Sequence, residues 1–253
     1  MCHETGSRPP APPVVGEVAS TAELRLTASD GAVLAAFEAV PAGEPRAAVV
    51  VLPDIRGLHP YYRALAERLA EAGYHAVAID YFARTAGASM RDETFEWQTH
   101  VPQVTPEHIL ADVAAAIGHV SPDGALPVLT VGFCFGGGHS WGLAGSVLAA
   151  DGTLAGAIGF YGRPALLAER AADVAAPVLM LVAGADHAIA SMDVVAVADD
   201  VRAGGADVEV HVYDGAPHSF FDRTFADHAD ACADAWQRIV AFTDRVTETR
   251  PVR

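Results

Sequence analysis

The chain is short of cysteine, of positive charge and of long apolar runs, and each shortage removes a class of protein. Three cysteines among 253 residues cannot build a disulfide framework and suit a reducing cytoplasm. Thirty-two acidic residues stand against 16 basic ones, a formal net charge of −16. Nucleic acid and anionic membrane are poor partners for such a surface. The acidic residues are spread along the chain, as in a solubilising skin. No apolar run approaches the roughly 20 residues of a membrane helix. The polar, proline-rich start lacks the basic-then-apolar pattern of a signal peptide. No internal repeat is present.

What is present is 51% hydrophobic content, enough for one large α/β core in a chain of this length. Residues 1–17 contain Pro9, Pro10, Pro12 and Pro13 and read as an extended arm outside the core. Residues 18–253 read as one domain. Cys2 and His3 are two possible ligands without partners, so no metal site is expected.

Residues 23–27 alternate, Asp30-Gly31 is a turn signal and residues 33–40 form a second strand, together an antiparallel edge hairpin. Ala48-Val49-Val50-Val51-Leu52 is continuously apolar, as a parallel strand buried on both faces should be. Strands at 75–80, 128–131, 154–161, 177–182 and 208–213 alternate with helices at 61–72, 106–119, 192–203 and 226–246. This order predicts one doubly wound, mostly parallel sheet. The stretch 83–104 is long for a structureless loop and is expected to roof a site.

The most informative segment is Gly132-Phe133-Cys134-Phe135-Gly136-Gly137-Gly138. It follows an apolar strand and leads towards Trp141-Gly142-Leu143-Ala144, which reads as the start of a helix. Strand, glycine-flanked turn and helix make the nucleophile elbow Gly-x-Ser-x-Gly, with cysteine in the serine position. The glycines matter because a Cβ on them would collide with the neighbouring strand or helix. A thiol at a helix N-terminus is placed where the dipole and free N–H groups favour an anion.

An elbow needs an acid and a base later in the chain. Asp186 follows the strand ending near Val182, and His218 follows the strand ending at Tyr213. Both therefore arrive, with Cys134, at the carboxyl ends of parallel strands, where open α/β sheets bind ligands. Asp193 is an alternative acid. His187, His211 and His228 are alternative bases: the first points away from Asp186, the second lies mid-strand and the third on a helix. His139, one turn into the elbow helix, reads as packing or pocket lining.

These pieces resemble the dienelactone hydrolase, or carboxymethylenebutenolidase, family of α/β-hydrolases. The matching segments are Leu52-Pro53-Asp54-Ile55-Arg56-Gly57, Asp80-Tyr81-Phe82-Ala83-Arg84, the cysteine elbow, Gly184-Ala185-Asp186 and His218-Ser219-Phe220. The resemblance covers about residues 23–243. It implies a Cys-His-Asp hydrolase of lactones or esters, monomeric or a weak homodimer, needing no cofactor. By position it implies Cys134 as nucleophile, Asp186 as orienting acid, His218 as base and the backbone N–H groups of Ile55 and Phe135 as oxyanion hole. It also implies Arg84 as an arginine that binds the substrate carboxylate.

Two positions depart from the pattern. Asp54 stands where the family carries a glutamate that contacts the resting thiol. A second carboxylate-binding arginine is expected shortly after the histidine, and Arg223 lies one residue beyond that point. Arg56 beside the oxyanion loop is a third candidate cation. A small ester or lactone substrate is expected. The alternatives are a general carboxylesterase or thioesterase and, in another class, a non-catalytic receptor or redox sensor acting through Cys134.

Overall fold

A computed structural model of the chain describes residues 7–248; Cys2 and His3 lie outside them. Eight strands form one sheet in the order β1-β2-β4-β3-β5-β6-β7-β8. β1 (Val18–Thr27), β2 (Val33–Pro41) and β4 (His75–Ile79) are antiparallel neighbours. β3 (Ala48–Leu52) pairs parallel with both β4 and β5 (Val128–Phe133). β6 (Leu154–Phe160), β7 (Val178–Ala183) and β8 (Val208–Tyr213) continue the parallel run. This is the expected doubly wound sheet with an antiparallel N-terminal edge.

The continuous apolar strands are explained by burial on both faces. Val49 and Val51 share one core with Tyr61, Leu65 and Leu69 of α1 (Pro60–Glu71), and Trp236 and Ile239 of α8 (Ala229–Glu248) belong to the same core further along the sheet. Val50 and Leu52, pointing the other way, pack with Ile109, Val113 and Ile117 of α3 (Pro106–Val120). Further along that second face, Met180 and Val182 meet Val194 and Val201 of α7 (Ser191–Ala203). Alternate residues of one strand thus serve two cores.

Helix starts follow local chemistry. Thr105 accepts the His108 N–H through its hydroxyl at 3.3 Å, with Pro106 at the first helical position. His59 plays the same part for α1, where Pro60 opens the helix.

Three regions differ from the sequence reading. Residues 7–17 contain no helix or strand, yet they are docked. Trp236 Nε1 donates to the Pro10 carbonyl at 3.1 Å, and Gly16 N donates to Glu71 O at 2.7 Å. The stretch 83–104 is not one irregular roof. It holds a turn of helix, α2 (Ala83–Ala86), and two short 3-10 turns, Trp97–Thr99 and Val101–Gln103. The elbow helix, α4 (Phe135–Leu143), begins directly after Cys134 rather than at Trp141. Its three leading glycines are poor helix formers, so propensity delays the start; packing overrides it. Among the described residues, the remaining helices are two short α turns, α5 (Val147–Ala150) and α6 (Ala165–Glu169), and a 3-10 turn, Ala171–Asp173.

Candidate active site

Cys134 is built into a turn that leaves no room for other residues nearby. Its φ is 54° and its ψ −111°, a left-handed conformation that costs a non-glycine residue about 1–3 kcal/mol. The strain is held by two bonds: Cys134 N donates to Phe160 O at 3.0 Å, and Gly138 N donates to Cys134 O at 3.2 Å. A Cβ on Gly132 would sit 2.0 Å from the Gly136 carbonyl oxygen, and one on Gly136 would sit 2.3 Å from the Leu52 and Pro53 oxygens. The elbow therefore needs glycine at both positions. Among the described residues, positive φ outside glycine occurs at Cys134, Tyr161 and Ser219. All three lie at the carboxyl end of the sheet, after β5, β6 and β8.

Asp186 and His218 meet across the next two strand ends. His218 Nδ1 lies 2.6 Å from Asp186 Oδ2, and the Asp186 side chain is 2% exposed. The other carboxylate oxygen accepts the N–H groups of Ala188 at 2.8 Å and Ile189 at 3.2 Å. Both oxygens are engaged, so the carboxylate is fixed and can fix the imidazole in turn. The Tyr161 ring packs on His218 with centroids 4.9 Å apart.

Cys134 and His218 open on one cavity of about 450 Å³. Ile55 and Phe135 line it too, and neither backbone N–H donates to another described group. The walls are otherwise mostly apolar: Val101, Ala165, Leu166, Ala188 and Ile189. A free thiol, an oriented imidazole and two open N–H donors around one cavity are the components of acyl transfer.

This arrangement matches a known family along most of the chain. The family model described as the dienelactone hydrolase family covers residues 34–247. The chain belongs to the dienelactone hydrolase family. A protein of Saccharolobus solfataricus named "Putative carboxymethylenebutenolidase" is 30% identical, over 87% of this chain and 97% of its own length. The crystal structure of a "Putative Dienelactone Hydrolase" from Klebsiella pneumoniae superposes with a TM-score of 0.74 at 27% identity, covering 89% of this chain and 99% of that one. A brefeldin A esterase, at 14% identity and a TM-score of 0.71 over 95% of this chain and 80% of that one, shares the α/β-hydrolase fold.

Against the family pattern, the substrate-side residues fall out differently. Arg84 is not a member of the cavity wall. Its guanidinium grips the buried Asp112 of α3 with two bonds, 2.9 and 3.0 Å, and donates to Asp30 at 2.7 Å. It ties the β1–β2 turn to α3 and α2, the ordinary work of an ion pair, so the expected carboxylate anchor is placed elsewhere. Arg223 is exposed and also outside the cavity wall. Its predecessor, Asp222, occupies the position where the pattern expects arginine. Asp222 is 1% exposed, and burial, with the charge of Asp54 adding to it, pushes its carboxyl well above the usual range.

Asp54 is 1% exposed, and its Oδ1 accepts the Arg56 N–H at 2.8 Å. It thereby shapes the turn that presents Ile55. Arg56 lies beside it, with Nε 3.9 Å from Asp54 Oδ2.

An ion pair and an arginine near the site escaped the sequence reading. Asp80 and Arg91 form a buried ion pair, 2.7 Å from Nη2 to Oδ2, and Asp80 Oδ1 also accepts the Leu58 N–H at 3.2 Å. Gly57 (φ 67°) presses so closely that a Cβ would meet that oxygen at 2.3 Å. The pair therefore clamps the Ile55 loop to the 83–104 segment, where Arg91 also bonds the Ala86 and Gly87 carbonyls. A lone arginine in a polar stretch carried no periodic signal to reveal this. Arg163, after β6, lines the cavity, and only its place beyond a strand's carboxyl end could have marked it.

Proposed function

We propose that the protein hydrolyses activated esters or enol lactones by nucleophilic catalysis through Cys134, His218 and Asp186. The supporting observation is the shared cavity: the elbow cysteine and an imidazole held 2.6 Å from a buried carboxylate open on the same space. His218 takes the thiol proton or holds the ion pair, and Asp186 keeps its ring oriented. The sulfur attacks the carbonyl, and the N–H groups of Ile55 and Phe135 receive the oxyanion, each donor contributing about 3 kcal/mol in comparable sites. The alcohol or enol leaves with a proton from His218. Water, activated by the same ring, then cleaves the thioester and releases the acid.

Cysteine narrows the substrates. A thiolate is expelled from a tetrahedral adduct more readily than an alkoxide, so adducts of alkyl esters revert. Enol lactones, aryl esters and thioesters carry leaving groups able to compete. A 4-nitrophenyl ester should be turned over far faster than the ethyl ester of the same acid, and equal rates would contradict the mechanism.

The test is hydrolysis of 4-carboxymethylenebut-2-en-4-olide, followed by its ultraviolet absorbance, with wild type and Cys134→Ala. Turnover that disappears in the variant supports both the lactonase and its nucleophile. The positions of Arg84 and Arg223 favour a second reading, a carboxylesterase or thioesterase that has left the dienelactone behind. Cys134-dependent cleavage of 4-nitrophenyl acetate without lactone turnover would select it. Cleavage of neither sinks both.

A further inference from the structure

The cavity is lopsided. Before Cys134 the chain supplies Ile55 and Val101 to its wall, whereas Arg163, Ala165, Leu166, Ala188, Ile189 and His218 come from the ends of β6, β7 and β8. If Ile55 and Phe135 hold the carbonyl oxygen, the body of a bound substrate extends over β6 and β7. That is the opposite side of Cys134 from Arg84, which follows β4.

Of the arginines on that side, Arg163 is the one in the cavity wall. The exposed Arg163 side chain makes no ion pair or hydrogen bond with another described residue, and Arg170 holds only the Gly145 carbonyl, while Arg46, Arg63, Arg68, Arg84, Arg91, Arg202, Arg238 and Arg245 each hold an acid. What sets Arg163 apart is its place: a cation not already held by one of the chain's many acids stands in the wall of the cavity that holds Cys134. No acidic residue lines the cavity. The Arg163 backbone is fixed against the elbow helix: a Cβ on Gly138 would meet its carbonyl oxygen at 2.7 Å, and one on Gly162 would meet Gly138 N at 2.3 Å. Its neighbour in the wall, His139, is 8% exposed and carries no charge at neutral pH, because burial lowers it to about 4. Arg163 therefore sets the charge preference of this wall.

We propose that Arg163 is the specificity-determining residue of the site and anchors an anionic group, a carboxylate, on the β6 side of Cys134, so that the preferred substrate is an ester or lactone with an apolar body and one negative charge on that side. The proposal rests on the hydrolase reading for the word substrate; the anchor itself does not need turnover.

Two measurements separate them. The first compares kcat/KM for the mono-4-nitrophenyl esters of glutaric and adipic acid with that for 4-nitrophenyl pentanoate and hexanoate, corrected for spontaneous hydrolysis. Wild type should favour an anionic ester, and Arg163→Gln should lose about tenfold on it with the neutral esters unchanged. Arg163→Lys should restore part of the preference, and added salt should weaken it. The second measures alkylation of Cys134 by iodoacetate and by iodoacetamide, read by peptide mass spectrometry. Arg163→Gln should lower the iodoacetate-to-iodoacetamide ratio about tenfold. An unchanged ratio in both assays overturns the anchor. A changed alkylation ratio with no Cys134-dependent ester cleavage keeps the anchor and removes the hydrolase reading.

Discussion

The two sides of the nucleophile treat polar groups in opposite ways. On the β3–β4 side charges are spent on holding loops. Asp80 holds Arg91, Arg84 holds Asp112 and Asp30, and Asp54 caps its own turn. On the β6–β8 side Arg163 and His218 line a cavity, with His139 of the elbow helix beside them. Buried satisfied charges hold loops in place, whereas polar groups on a cavity wall are placed to meet a ligand. Charge alone distinguishes nothing here, because both sides contain buried aspartates. What separates them is where the second partner is.

The sharpest break of this comparison swaps one buried acid on each side for its amide. Asp186 is 2% exposed and Asp80 0%, so burial does not tell them apart. Asp186→Asn should cost about 10³-fold in kcat on a 4-nitrophenyl ester, from misorientation of the imidazole, with a small change in urea midpoint. Asp80→Asn should do the reverse. It leaves the 6%-exposed Arg91 without its charge partner, a loss of about 4 kcal/mol in unfolding free energy, while folded molecules keep turning over at a reduced rate through a looser Ile55 loop. If Asp80→Asn lost more rate than stability, the β3–β4 side would have to be counted as part of the chemistry.

A slightly smaller effect concerns pH. His139 is held at about 4 by burial, below the ordinary histidine value. Its folded-state pKa is depressed, so the neutral ring's contribution to stability is complete above about pH 6.5 and is lost as pH falls to about 4. The loss should amount to about 3 kcal/mol. Denaturant titrations at pH 7 and pH 4 should show it in wild type, and His139→Gln should flatten the difference. A pH dependence unchanged in the variant would mean that the imidazole is solvated through the cavity.

Most of the fold was legible because hydrophobic period and strand order report the sheet directly. The run 48–52 and the turn after each strand are enough to bring Cys134, Asp186 and His218 to one rim of the sheet. The elbow helix was misjudged at its start, since Gly136, Gly137 and Gly138 lower helix propensity while allowing the backbone contacts at Leu52, Phe160 and Arg163 that fix the turn. Ion-pair partners far apart in sequence were not legible at all. Nothing local in Arg84, Arg91 or Arg163 says which will find an acid. Asp112 and Asp80 lie 28 and 11 residues from their partners, and only the folded chain brings them together.

Arg84 is accordingly where the comparison predicts the smallest effect. Arg84→Lys keeps a cation near Asp112 but forfeits the two-pronged bond to a carboxylate that is 0% exposed. Lysine meets such a group as a point charge rather than a fork. The cost should be about 1 kcal/mol of stability, seen as a modest drop in urea midpoint. KM for an anionic ester should change less than twofold, because the side chain stands outside the cavity wall. A tenfold rise in KM confined to anionic esters would show that Arg84 leaves Asp112 for the substrate, and would move the anion site back to the β4 side. The same assay run on Arg163→Gln gives the opposite expectation, so the two variants together locate the negative charge of the substrate relative to Cys134.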